Sequence, residues 1–422
     1  MNSTILEQLE EHFADEIKLA AGDIGLLEDL LQQKLRILGR QLLQRAVDRC
    51  DRGYQGSSII CNCGGHMKFV QYRSRQVHTV FGWVEIKRAY YHCSVCHKSL
   101  YPYDKAVGLG TEQLSPALAA VCCLLTVDDS FEQSSKKIEM IMGQKVSSNT
   151  IERLACQVGS TAQTQQDQQL KDFYTDRQIP LALKHPQRLY LAVDGTTVHQ
   201  DDGWHEAKVG VIYWENSRKE VEKQYIGRFE DSCKFGWHLW YQACLCGLRE
   251  AQEVIYLGDG ASWIRSEHDR HFSRSTFIID WYHASEHVWD CGKALFGEGT
   301  DASRQWVEKR LTLLWDGHCR KLLNDLKSQL KKHRKSKRKA LKSLIGYISK
   351  NEQEMRYDVF RARGYDIGSG AVEGACKNVV GKRLKQSGMK WSHQGSAAIL
   401  ALRTTWLNGQ WQQLWEKKPM AA

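Results

Sequence analysis

No apolar run reaches the roughly 18 residues that a membrane-spanning helix needs, and the N-terminus lacks the apolar core of a secretory leader. A cytoplasmic location is therefore expected. A glycine-rich phosphate loop is also missing, which argues against a doubly wound nucleotide-binding fold. Acidic residues run out near the end: after Glu373 none occurs until Glu416, while Lys377, Lys382, Arg383, Lys385 and Lys390 accumulate. The 14 cysteines do not suit a disulfide framework, since such frameworks belong mainly to small secreted chains.

What is present is the composition of a soluble globular protein, 42% hydrophobic and 26% charged, with room in 422 residues for about two to four domains. A net charge of +10 favours polyanions only modestly, so its distribution matters more than its sum. Residues 1–55 read as helical: Ile5, Leu9, Phe13, Ile17 and Ala20 recur at helical spacing, and Leu26 to Ala46 continue the pattern after a glycine break. A packing or dimerisation pair of helices is expected there.

Most cysteines sit singly in apolar segments and suit small buried hydrophobes. Residues 56–110 differ. Cys61-Asn62-Cys63-Gly64-Gly65 is followed by Cys93-Ser94-Val95-Cys96, with strand-like alternation between and Gly82 as punctuation. Two close cysteine pairs on turns joined by hairpins predict a zinc ribbon, because tetrahedral zinc needs four thiolates converging from two knuckles. Cys61, Cys63, Cys93 and Cys96 are the candidate ligands for a structural Zn2+. His66, His92 and His97 are possible substitutes, and reduced bystander cysteines are the alternative.

Residues 111–170 turn helical. Ser115-Pro116 starts one helix, Phe131 to Met142 forms a second, and Ser148 or Asn149 caps a third after a glycine-containing turn. The pattern fits a DNA-reading helix-turn-helix, helped by Lys136, Lys137 and Lys145, or an ordinary helical hairpin. Gln163 to Gln169 and Pro180 to Pro186 then look like a linker.

Residues 187–415 carry the catalytic pattern. Strands are expected at Arg188–Asp194, His205–Trp214 and Gln224–Phe229, then a helix over Phe235–Glu250. A strand at Val254–Gly258, a helix from Ala261, a strand at Thr276–Asp280 and a helix from His283 complete it. That order is the order of an RNase H-like fold. A helical insertion at about 300–365 contains Lys331, Lys332, Arg334, Lys335, Lys337, Arg338 and Lys339, either a solvated face or a phosphate contact.

Two apolar strands end in Asp-Gly, at Asp194 and Asp259, and Glu373 opens a helix in Gly-Ser-Gly-Ala-Val-Glu373-Gly. Either aspartate alone could be a turn former. Together, three acids from separate elements suit divalent metal, since Mg2+ takes a few carboxylates and fills its shell with water and phosphate. Two such ions would serve an in-line displacement at a phosphodiester, and Mn2+ would be accepted by the same oxygens. Asp280 and His283 compete as a metal pair or a helix cap, and are expected to support the metal-binding acids from behind or to position DNA. Lys377, four residues after Glu373, either neutralises a phosphate or forms a surface ion pair.

Val193-Asp194-Gly195-Thr196, Leu257-Gly258-Asp259-Gly260-Ala261-Ser262-Trp263-Ile264, Asp280-Trp281-Tyr282-His283 and Gly368 to Gly374 resemble the DDE transposases of bacterial insertion sequences. The resemblance is to the ISKra-type family, related to the Mutator-like group. It extends to the Cys-x-Cys-Gly-Gly pair, Arg88 to Cys93, and Gly388-Met389-Lys390-Trp391. The resemblance implies an RNase H-like domain with Asp194, Asp259 and Glu373 as the catalytic acids holding two Mg2+ ions, and Asp280–His283 as the D-x-x-H signature. It further implies cutting at terminal inverted repeats and joining of a 3′-OH to target DNA. The DNA-contacting residues would be the basic run of the insertion together with Lys382, Arg383 and Lys385, in a homodimer or larger synaptic complex, with no membrane partner. A structure-selective nuclease on the same fold and a non-catalytic DNA-binding regulator are the rival readings.

Overall fold

The computed structural model describes residues 22–416 other than 111, 177, 178 and 369, together with Phe13, Ala14 and Lys18. The helix expected before residue 22 falls almost wholly outside the described residues, Ile5, Leu9, Ile17 and Ala20 included. The fold is mixed α/β with two sheets, and the chain divides into two units, Met1–Leu154 with Trp415–Ala422, and Ala155–Leu414. No helix among the described residues is long and apolar enough to cross a membrane.

The first unit opens with helix α1, Ile24–Arg49, whose first amides are capped by the Asp23 carboxylate. Strands β1 (Ser58–Ile60), β2 (His66–Thr79), β3 (Gly82–Cys93) and β4 (Ser99–Leu100) form an antiparallel sheet in that order. Two small clusters stabilise it. Val77, Val84, Ile86 and Tyr103 pack with Leu43 and Val47 of α1, and Cys61, Met67, Ala89, Tyr91 and Cys93 fill the far end.

After the short helix α2 (Pro102–Val107) come α3 (Pro116–Thr126), capped by Ser115, and α4 (Phe131–Met142), opened by a reciprocal capping box between Ser130 and Gln133. Helix α5, Ser148–Asp176, is capped one residue earlier than expected from the sequence. Ser147, not Ser148 or Asn149, accepts the Thr150 amide on its hydroxyl. The glutamine-rich stretch 163–169 is helical rather than a linker. Glutamine is a good helix former, and nothing in the stretch breaks the pattern. Gly159 lets α5 approach closely: a Cβ there would lie 2.3 Å from the Ala398 carbonyl oxygen.

The second sheet contains β5 (Arg188–Gln200), β6 (Gly203–Glu215), β7 (Val221–Arg228), β8 (Glu253–Gly258) and β9 (Thr276–Ile279), ordered β7-β6-β5-β8-β9. β5, β6 and β7 are an antiparallel meander, whereas β8 and β9 join in parallel. The connections are helices α6 (Ser232–Leu245) and α7 (Ser262–His271). β5 does not stop at Asp194 as the Asp-Gly pair predicts. It continues to Gln200, because β6 pairs with it along its whole length, Gly195 opposite Lys208. A Cβ on Gly195 would meet only the flexible Glu206 side chain.

Arg228 at the end of β7 is buried between Asp167, Glu230 and His238 of α6, with the His238 Nε2 2.6 Å from its guanidinium. Burial, and then the Arg228 charge, drive the His238 imidazole down to about 3. The unfolded chain therefore takes up a proton that the folded chain refuses, and stability falls as pH drops below the ordinary 6.5. By pH 5 the loss is expected to be about 2 kcal/mol. His238→Gln should flatten that limb of a plot of Tm against pH.

Helix α8 (Trp281–Phe296) leaves β9, and α9 (Asp301–Trp315), α10 (Cys319–Gln329), α11 (Lys335–Lys350) and α12 (Tyr357–Ala362) follow. Their shared core includes Trp306, Leu314, Leu322, Leu326, Leu341 and Ile348. The last segment is α13 (Gly370–Ala375), a widened π turn over Cys376–Gly381, the single-turn α14 (Lys382–Leu384), then α15 (His393–Leu407) and α16 (Trp411–Trp415). A π turn loosens the backbone ladder. Fully buried Arg403 of α15 compensates, donating to the carbonyls of Val379, at 2.8 Å, and Asn378.

Candidate catalytic site

Register places the acids. The last parallel pair of β5 and β8 is Ala192 with Leu257, so two residues further on Asp194 stands level with Asp259. β8 and β9 end on Gly258 with Ile279, and the Asp280 amide still donates to the Gly258 carbonyl, so Asp259 stands level with Asp280. Three carboxylates thus share one row, Asp194 within β5 and Asp259 and Asp280 just past the C-terminal ends of β8 and β9, across strands that lie about 4.8 Å apart. Ligands of open α/β sheets bind at such C-terminal strand ends.

Two tyrosines of the helical segment after α8 fix the strand ends. Tyr347 donates to the Asp259 carbonyl at 3.1 Å, and buried Tyr357 donates to the Ile279 carbonyl at 3.0 Å. Asp194, Asp259, Asp280 and His283 line a small cleft with Val193, Leu257, Gly258 and Val372. Asp194 Oδ1 accepts its neighbouring Gly195 amide at 2.7 Å, and its Oδ2 faces the Cys376 thiol at 3.6 Å. Asp259 accepts the Ala261 amide at 2.7 Å. Burial raises the Asp194 carboxyl above its ordinary range, opposed by the Gly195 amide and the His283 charge and reinforced by Asp259.

Asp280 is the most enclosed of the row at 2% exposed. Its Oδ1 caps α8 through the His283 amide at 2.8 Å and takes the His283 Nδ1 at 3.2 Å. Its Oδ2 is buried without a hydrogen-bond partner. The hydrogen bond to Asp280 holds the His283 imidazole up, to about 9, against its own burial and with help from Asp194 and Asp259. At neutral pH one imidazolium therefore faces three carboxyl groups. Oxygen donors in a row and an orphaned buried oxygen are the donor type a hard divalent cation takes, but the ligand atoms of the row do not all lie within 4.8 Å of one another.

Glu373 is exposed on α13 and is not among the residues lining the cleft. It stands at the rim: Val372 beside it lines the cleft, and Cys376 one turn on faces Asp194. Burial pushes the Cys376 thiol up to about 12, the Asp194 charge adds to this, and Glu373 contributes. Lys377 is exposed on the π turn, and Lys385 donates to the Thr196 hydroxyl two residues past Asp194. Lys382 is exposed as well. Arg383 requires a correction. It is 1% exposed, stacked on Trp391 at 4.7 Å and donating to the Met389 sulfur, and a guanidinium sealed there presents no charge to a phosphate.

Lys331, Lys332, Arg334, Lys335, Lys337, Arg338 and Lys339 are all exposed, on the turn before α11 and its first turns. No acid lies in the first turn of α11 and no side chain caps it, so positive charge crowds the positive end of the helix dipole. On the α4–α5 hairpin the three lysines are exposed, and each has an acidic neighbour. Lys136 pairs with Glu132, Lys137 with Asp129 and Lys145 with Glu139.

In the first unit the thiols of Cys61, Cys63, Cys93 and Cys96 lie within 4.8 Å of one another. Cys61 and Cys96 are 3.6 Å apart and Cys63 and Cys93 3.7 Å, as free thiols. Tetrahedral zinc with bonds of about 2.3 Å needs sulfurs about 3.8 Å apart. The Cys96 and Val95 amides hold the Cys93 thiol down, to about 6, which favours a thiolate there. His66, His92 and His97 are outside this group.

Residues 23–418 match the Uncharacterised protein family (UPF0236). The chain belongs to that family. A UPF0236 relative, the "UPF0236 protein in vanSb 3′region" of Streptococcus gallolyticus, is 26% identical over 355 residues, which is 80% of this chain and 73% of that protein. The UPF0236 match takes in the acid row, the cysteine group and the basic run alike. Within this UPF0236 chain, the sequence pointed to Asp280 as a strand-end acid near the site but ranked it behind the row to which it belongs. Cys376, the row's sulfur neighbour, and Tyr347 and Tyr357, which hold the strand ends, had no signal in the sequence.

Proposed function

We propose that this chain is a DNA transposase of the DDE kind, with an RNase H-like catalytic domain, which cuts at the terminal inverted repeats of an insertion sequence and joins the freed 3′-OH to target DNA. The observation that carries the reading is the acid row: Asp194 and Asp259 level on a sheet ordered β7-β6-β5-β8-β9. Asp194 and Asp259, with Glu373 or Asp280, would hold two Mg2+ or Mn2+ ions. When bound, such ions activate the attacking oxygen and steady the leaving one. Asp194 lies on β5 and Asp259 directly follows β8, so paired strands would set their spacing independently of substrate. Lys385 and Lys382 offer charge to a phosphate beside the row. His283 orients Asp280 through its amide and its Nδ1. The exposed cations at the start of α11 suit the flanking DNA backbone.

Cys61, Cys63, Cys93 and Cys96 would hold a structural Zn2+ in a zinc-ribbon module. The α4–α5 hairpin would serve as a helix-turn-helix reading bases more than phosphates, given its paired lysines. Such an enzyme works on the nucleoid.

A second copy of the chain fits α1. Ile24, Leu31, Leu35 and Leu42 are exposed, and at about 100° per residue they fall within about 20° of one line. Their spacing reads the same from either end, so an antiparallel copy matches Ile24 to Leu42 and Leu31 to Leu35. Glu28 and Asp29 in the first half would then face the half holding Lys34, Arg36, Arg40 and Arg45. Phe13 lies under the Lys34 ammonium at 5.1 Å, off this line. The free protein should be a dimer by light scattering, and Leu31→Glu with Leu35→Glu a monomer; a monomeric unaltered chain rejects the arrangement.

The function is tested by incubating the full chain and Mg2+ with labelled DNA from the ends flanking its gene, beside Asp194→Ala, Asp259→Ala, Asp280→Ala and Glu373→Ala. Nicked and joined products lost with Asp194 and Asp259 support the reading. Cutting that survives Asp194→Ala overturns it, cutting without joining favours a nuclease, and binding alone favours a regulator.

A further inference from the structure

We propose that Asp202, His205 and His393 bind one divalent transition metal of the zinc class, and that this metal clips the tip of the β5–β6 hairpin to the start of α15. Asp202 Oδ1 lies 2.7 Å from His205 Nε2 and 3.0 Å from His393 Nε2. The two imidazoles meet edge to face with ring centres 4.8 Å apart. All three ligand atoms lie within 4.8 Å of one another.

A tetrahedral ion bound at about 2.0–2.1 Å needs its ligand atoms about 3.3–3.4 Å apart. The Asp202–His205 contact therefore has to open by about 0.6–0.7 Å and the Asp202–His393 contact by about 0.3–0.4 Å, and all three side chains are at least 39% exposed and free to do so. Two imidazoles and one carboxylate, with a fourth position open to water, select zinc-class ions over Mg2+, which prefers oxygen.

The backbone beneath the trio is tied together without any metal. The Asp201 amide donates to the Trp391 carbonyl at 2.9 Å, and the Trp391 amide to the His199 carbonyl at 3.2 Å. Buried Gln200 donates to the Ser396 hydroxyl at 2.8 Å. His205 is held opposite Val198 in the hairpin, and His393 is the first residue of α15 behind its cap Ser392. The ligands thus come from two elements already in register with each other, which limits the ordering cost of binding. The similar group Asp167, Glu230 and His238 offers no such site, because the Arg228 guanidinium already occupies the place of a cation.

The clip bears on the basic turn between α14 and α15. One end of that turn is held where Lys385 meets Thr196 beside the acid row, and the other end begins at His393. With the metal bound, Lys385 and Lys390 are carried on a segment fixed at both ends.

The test uses the full chain stripped of metal and reloaded with Co2+ or Zn2+. The unaltered protein should take up a Co2+ equivalent whose visible bands lack thiolate charge transfer, separating it from any ion on the cysteines. His205→Ala, His393→Ala and the closer mimic His393→Gln should each lose that equivalent and keep any sulfur-bound one. Hydrogen exchange over residues 385–391 should slow about tenfold when free Zn2+ is ten times its dissociation constant. Uptake unchanged in all three variants, or exchange indifferent to loading, overturns the proposal. Neither readout depends on DNA cleavage, so the proposal and the transposase reading fail separately.

Discussion

Asp194→Asn is expected to abolish Mg2+-dependent cutting of DNA while leaving the protein at least as stable as the unaltered chain. The loss should exceed the roughly 10–100-fold that follows removal of a residue merely supporting a metal ligand. The stability half of the expectation comes from the raised Asp194 carboxyl. A carboxyl whose pKa is raised by folding holds its proton more tightly folded than unfolded. Its contribution is most favourable below the ordinary value of 3.8 and worsens as pH climbs through the raised folded value. At neutral pH the ionised group therefore opposes folding, and asparagine removes that opposition without changing shape. Functional sites commonly carry such a cost. Thermal melts at pH 7 with and without Mg2+ provide the check. The unaltered chain should gain Tm from the ion, and the Asn variant should gain little. A variant that loses both activity and several degrees of Tm would make Asp194 a structural residue.

Cys93→Ala should dismantle the far end of the first sheet. The strands there are short: β1 has three residues and β4 two, and five buried side chains form the cluster beneath them. Two knuckles with no ion between them would be held by little else, whereas structural zinc contributes on the order of 10–16 kcal/mol in isolated zinc fingers. The expected result is loss of a bound zinc equivalent by mass spectrometry, with fast amide exchange over residues 58–69 and 91–100. Treatment of the unaltered chain with a strong chelator should reproduce it. Exchange that stays slow in Cys93→Ala, with no zinc in the unaltered protein, would mean that the thiols pack as ordinary small hydrophobes.

The strands and helices of the second unit were legible because burial there follows the chain's own periods. Leu189 to Val193 and Ile255 to Leu257 are continuous apolar runs, as strands covered on both faces must be. The positions of Asp194 and Asp259 followed from the same runs. Asp280 was underrated because the row is a property of register between strands, which no single segment displays. The extension of β5 past Gly195 was hidden for a related reason: the Asp-Gly pair has a local meaning, and pairing with β6 overrides it. Charge was the least legible quantity. Lys136, Lys137 and Lys145 look free in one dimension and are paired in three, and Arg383 sits in a basic stretch yet faces inward. Glutamine-rich 163–169 misled through composition, since polar helices and polar linkers share residues.

The widened turn at Cys376–Gly381 acts as a phase shifter in the segment that holds Glu373 and the terminal lysines. Along an ordinary helix each residue advances the facing direction by about 100°, so every side chain is geared to every other. A turn bonded five residues back breaks that gearing. Upstream of it, Glu373 keeps its aim at the rim of the cleft; downstream, Lys382 and Lys385 take whatever angle the turn hands on. Arg403, locked on the carbonyls of the turn, sets that angle. An insertion or deletion of one residue here would swing the lysines around the axis and leave the carboxylate in place. Acid and base in this segment are thus adjustable one without the other, a freedom that a continuous α-helix denies.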